Sequence, residues 1–200
     1  EKTEKHIFGV PFTRIKPAVI KVLLVSVAVA GLVGIVSLLS GEFGDLQTRI
    51  LATVILTSGL SVGALIYLGI ASSMYRLIGF AGMVASLVAF ALGLWLVWSY
   101  YNIFDSGLEI VLKNYVFATI VSVAIAHICL IVKLLLNPLK FVRYGTAATI
   151  GCVCALVTLL GILIYGETST DASMRLMGVF GILIVLGTII VPVWARLQKK

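Results

Sequence analysis

Charge is scarce in this chain: only 12% of its 200 residues are Asp, Glu, Lys or Arg, and 61% are hydrophobic. A soluble domain carries about a quarter charged residues, so there is too little polar surface here to cover a globule in water. Acids are absent from every long apolar run. That argues against a proton relay or an ion-coupled carrier, which places an ionisable group near mid-membrane. Histidine occurs twice and cysteine three times. Cys129, Cys152 and Cys154 all fall inside apolar runs, so a disulfide framework is not expected. There is no HExxH pair, no Walker-type loop and no pair of carboxylates within an apolar run. No enzymatic activity is expected.

What the chain has in abundance is grease, with a mean hydropathy of +1.18. Six runs stand out, at Ala18–Ser40, Ile50–Ser72, Leu77–Tyr100, Tyr115–Leu136, Tyr144–Tyr165 and Leu176–Ala195. At 1.5 Å rise per residue each reaches about 30 Å, the thickness of a bilayer core. Helices are the expected form, because backbone groups in lipid must be satisfied within the segment. The alternating ten-residue strands of a membrane barrel are missing. The first run is too long for the apolar region of a signal peptide and is followed by five more, so it reads as a true first helix. The expected fold class is all-α: a six-transmembrane-helix bundle built as three helical hairpins. Its organisation is an interfacial arm (1–17), one transmembrane domain (18–196) and a short tail (197–200).

The net charge of +7 is unevenly placed. Lys2, Lys5, Arg14, Lys16, Lys21, Arg76, Lys133, Lys140, Arg143, Arg196, Lys199 and Lys200 fall on one side, and only Arg49, Lys113 and Arg175 on the other. Basic residues in short connections stay cytoplasmic, which predicts both termini inside. Glu42, Asp45, Asp105, Glu109, Glu167 and Asp171 make the opposite face acidic. Trp95, Trp98, Tyr100, Tyr101 and Tyr165 near outer ends, with Tyr75, Tyr144 and Trp194 near inner ends, suit interfacial belts. The expected partners of the basic face are anionic membrane lipids, and no nucleic-acid partner is needed to explain it.

Each outer connection ends in an acid four residues before a base: Asp45/Arg49, Glu109/Lys113 and Asp171/Arg175. In the first turns of helices two, four and six each pair would share one face, and each acid would meet the positive end of its helix. Recurrence of local physics explains this pattern, and so does repetition of a two-helix unit, which would give parallel repeats. The stretch Leu39-Ser40-Gly41-Glu42-Phe43-Gly44, followed by Arg49-Ile50-Leu51, resembles a segment of bacterial multi-span membrane proteins of unassigned function. The likeness covers about a tenth of the chain. It implies a bacterial inner-membrane origin and supplies no activity.

Small residues recur at every fourth position: Ser26, Ala30 and Gly34; Gly59 and Gly63; Ala81, Ala85, Ala89 and Gly93; Ala147, Gly151 and Ala155. Such stripes let helix backbones approach closely, either within the chain or against another subunit. Thr53, Thr57, Ser58 and Ser61 on helix two would line a polar path or bond back to helical carbonyls. By residue count His127 and Cys152 share a level, with Cys129 and Cys154 flanking it. These are soft ligands for zinc or copper, but residues two apart on a helix diverge by about 200°. Apolar cysteines with a hydrogen-bonded histidine are the simpler reading, and no metal or other cofactor is expected. A single intramembrane histidine does not supply the two axial ligands of a b-type haem.

Two functions follow. The first is a non-catalytic integral subunit that packs against and stabilises a larger bacterial membrane complex, with other integral subunits as partners. The second is a small channel or facilitator for a neutral or lipid-like solute.

Overall fold

The computed structural model describes residues 6–7, 10–40, 44–70, 75–99, 107–136, 139–166 and 170–198. Residues 1–5 of the arm, Gly41, Glu42 and Phe43 of the resembling segment, the loop acids Asp105 and Glu167, Tyr100 and Tyr101, Lys199 and Lys200 lie outside the described residues. So does the side chain of Ala30, a residue of the first helix.

Among the described residues the regular structure is helical apart from a two-residue antiparallel ladder near the start. There β1 (His6–Ile7) pairs with β2 (Val10–Pro11). The helices are α1 (Phe12–Ser40), α2 (Asp45–Ile70), α3 (Arg76–Ser99), α4 (Gly107–Ile131), α5 (Lys140–Gly166) and α6 (Asp171–Leu197). A tighter 3-10 turn, Val132–Leu136, carries α4 on. Helices α2 to α6 are long and apolar enough to cross a membrane; the apolar stretch found within α1 is the shorter Ile20–Val36.

The helices reach beyond the greasy runs because their polar first turns are good helix starts. Thr170 caps α6 through a reciprocal pair: its hydroxyl accepts from the Ser173 N–H at 3.3 Å, and its own N–H donates to Ser173 Oγ at 3.2 Å. Each bond satisfies an otherwise orphaned donor. At α2 the side chain of Gln47 reaches back to the Gly44 N–H in the same way. Asp45, Glu109 and Asp171 all sit in first turns, where the helix dipole favours an acid. Helix α1 takes in the last part of the sequence-defined arm, from Phe12 on, and Pro17 lies inside it.

The chain forms two compact units, Glu1–Thr119 and Ile120–Lys200. In the first, α2 packs against both α1 and α3. The buried residues of α3 are all small: Gly79, Gly82, Ser86, Ala89 and Gly93. Their spacing alternates three and four, the 3.5-residue repeat of a seam between two helices. The stripe read from the sequence, Ala81–Ala85–Ala89–Gly93, is therefore only half used. Ala89 and Gly93 are buried, Ala85 is half-buried and Ala81 exposed. Four-residue steps turn about 40° too far each time, so such a stripe winds off the contact.

In the second unit α5 packs against α6 and against the 3-10 turn. Its seam is Val142, Thr146, Thr149 and Val153, again spaced by fours and threes. Val142, fully buried, meets Val191 and Ala195 of α6, with Leu134 and Leu139 packed around them. Phe141 and Trp194 bring their rings to 5.5 Å at the same end.

Candidate functional site

Of the four α2 hydroxyls named above (Thr53, Thr57, Ser58 and Ser61), all but Ser58 are turned onto their own helix. Thr53 donates to the Arg49 carbonyl at 2.9 Å, Thr57 to Thr53 at 2.8 Å and Ser61 to Thr57 at 2.9 Å. A hydroxyl has one proton, so each is committed to the backbone, and what it offers outward is an acceptor. Trp98 of α3 uses one: its indole N–H donates to Thr53 Oγ1 at 3.3 Å. The Arg49 guanidinium lies 6.0 Å from the centre of the same ring. The N-terminal part of α2 is thus tied to α3 by a polar contact involving a tryptophan the sequence marks only as a belt residue.

The small residues divide into two groups. A methyl at Gly93 would come within 2.9 Å of Leu56 and of Tyr115, and one at Gly63 within 3.2 Å of Ser86 Oγ. These glycines are occupied contacts. Ser26 is buried and donates to the Val22 carbonyl at 2.7 Å. By contrast, a methyl at Gly34, Gly59 or Gly151 would find no described atom of its own unit within 4 Å. Ala147 and Gly151 are exposed and Ala155 half-buried. At 100° per residue, their stripe lies about 170° round α5 from the buried seam. The glycines that α5 and α6 do use are others. Gly145 receives Val191, and a β-carbon at Gly187 would run into the side chain of Thr149. The sequence stripes missed both, because each glycine is matched by a larger residue on the opposite helix.

Of the acid–base pairs, Glu109 and Lys113 meet at 2.8 Å. Asp45 and Asp171 are exposed, as is Arg175, whereas Arg49 is half-buried beside Trp98.

His127 of α4 meets α6. Its Nε2 lies 3.0 Å from Thr188 Oγ1, and Thr188 Oγ1 is also 2.6 Å from the Ile184 carbonyl oxygen. Cys129 is buried in α4 and Cys154 is exposed. Cys152 lines a shallow apolar groove of about 300 Å³ between α5 and α6, with Thr149 and Gly187 also in its lining. Among the described residues no three His, Cys, Asp or Glu side chains gather where they would hold a metal ion. Comparison with known proteins gives no match to a family model, to a curated protein or to a solved structure.

Proposed function

We propose that the chain is a non-catalytic integral subunit of a bacterial inner-membrane assembly. It crosses the bilayer six times as three hairpins, keeps both termini in the cytoplasm and docks neighbouring integral proteins. The observation that carries the reading is the split among its small residues. Gly63, Gly93, Gly145 and Gly187 are filled by the chain's own side chains, while the Ala147–Gly151–Ala155 stripe faces away from the α5 seam with open space at Gly151. In lipid, helices associate through close van der Waals packing rather than hydrophobic burial. A smooth stripe on an outward face therefore suits a further helix. The hydroxyls of Thr53, Thr57 and Ser61, committed to their own backbone, favour this reading over a polar conduit.

The test is affinity purification of the chain from its native membrane in a mild detergent. A stoichiometric integral partner is expected, and Gly151→Leu should release it while leaving helicity and thermal stability unchanged. A monodisperse lone species, or a partner indifferent to Gly151→Leu, would defeat the proposal.

The second reading, a facilitator for a small neutral solute, draws on the polar His127–Thr188 contact inside the apolar spans. It predicts solute flux in proteoliposomes, and inert liposomes would count against it.

A further inference from the structure

The geometry at Thr188 decides which atom of His127 carries the proton. Thr188 Oγ1 and the Ile184 carbonyl oxygen are 2.6 Å apart. Two oxygens come that close only with a hydrogen between them, and a carbonyl has none to give. The Thr188 proton is therefore spent on Ile184. The 3.0 Å contact to His127 Nε2 must then run the other way, with the ring donating N–H to the hydroxyl oxygen. In the neutral ring the second nitrogen, Nδ1, is left with a lone pair.

A second acceptor lies on the same residue as the hydroxyl that His127 meets. Pro192 lies inside α6, four residues beyond Thr188, and has no N–H. The Thr188 carbonyl is thus without its helical donor. Thr188 lies about 10 Å from the inner end of its apolar run and His127 about 13 Å from the inner end of its own, at 1.5 Å per residue. Both are within the depth that excludes bulk water. An acceptor left open there is costly, and two acceptors on one contacting pair are the minimum that holds an ordered water.

We infer that His127 Nδ1 and the Thr188 carbonyl form an intramembrane acceptor site for a small neutral hydrogen-bond donor, a water or a short hydroxyl compound. His127 is held in the Nε2–H form by Thr188. The inference rests on α4 and α6 lying in a bilayer and is independent of the subunit role proposed above.

The test is solid-state NMR on the full chain in lipid bilayers, with 15N-labelled histidine. His6→Ala leaves a single histidine to observe, and water is the probe. The expected spectrum shows a protonated Nε2, a bare Nδ1 and a magnetisation-transfer peak between the ring and water. Thr188→Val should abolish the fixed tautomer and give a mixture. Pro192→Ala returns an N–H to the Thr188 carbonyl, so the water peak should be lost while the tautomer stays. Retained helicity is the control for both variants. A protonated Nδ1 in the parent chain, a ring with no water contact, or a water peak that survives Pro192→Ala would each overturn the site.

Discussion

Thr149 lies directly against the backbone of Gly187, leaving no room for a β-carbon on α6 at that point. The Thr149 hydroxyl oxygen is the atom nearest that point, and its proton goes to the Gly145 carbonyl at 2.8 Å. One turn away the relation is inverted, with Val191 of α6 seated on Gly145 of α5. The two helices thus interlock, each giving one glycine and one larger side chain. Gly187→Ala should destabilise the α5–α6 pair by about 1–3 kcal/mol, the usual cost of overpacking. Reversible unfolding of the detergent-solubilised protein by SDS would measure it. Gly151→Ala on the open face should stay within about 0.5 kcal/mol of the parent, and equal losses for the two would refute the interlock.

Gly93 plays the corresponding part in the first unit, where Leu56 and Tyr115 close over it. Gly93→Ala is expected to cost about 1–3 kcal/mol and Gly59→Ala to be tolerated, since no described atom lies within 4 Å of a methyl at Gly59. Thermal unfolding of the two variants side by side separates the positions. A Gly59 variant that unfolds as early as the Gly93 variant would mean the contacts at Gly93 carry no special weight.

Thr53 and Thr57 make the same bond to their own helix, and Thr53 also accepts from the Trp98 indole. Thr53→Val should remove the acceptor of the half-exposed Trp98 N–H and cost about 0.5–1.5 kcal/mol, with a shift in tryptophan emission. Thr57→Val removes only a backbone-directed hydroxyl and should cost less than about 0.5 kcal/mol. Trp95 and Trp194 are replaced by phenylalanine so that Trp98 alone reports. Identical emission in the two threonine variants would show that the indole does not depend on Thr53.

The proposed orientation places Lys140 at the cytoplasmic end of α5 and Arg175 near the outer end of α6. In a cysteine-free background, Lys140→Cys in intact cells should resist a membrane-impermeant thiol reagent until the membrane is broken, whereas Arg175→Cys should react at once. Immediate labelling at position 140 would reverse the charge-based assignment and remove the topology on which the subunit role is built.

The helices were legible in the sequence because lipid imposes a length and a composition on anything that crosses it. Their starts were legible too, in Asp45, Glu109 and Asp171, whose positions at first turns follow from local electrostatics. Partners across helices were not. The bond from His127 to Thr188 spans 61 residues, and nothing local to either residue names the other. Trp98 and Thr53 are 45 residues apart, and belt chemistry alone already accounts for a tryptophan there.

The amino-acid sequence by itself determined that this chain is a set of long apolar helices with small residues in stripes. Only the tertiary structure decided which of those small residues are contacts. The physical reason is that hydropathy loses its contrast in lipid. Both the packed and the lipid-facing sides of a helix are apolar, so the pattern that marks the core of a soluble protein is missing. What remains is shape, and shape is read only when two helices meet. Gly145 against Val191 and Gly187 against Thr149 are matches between a hollow on one helix and a side chain on the other.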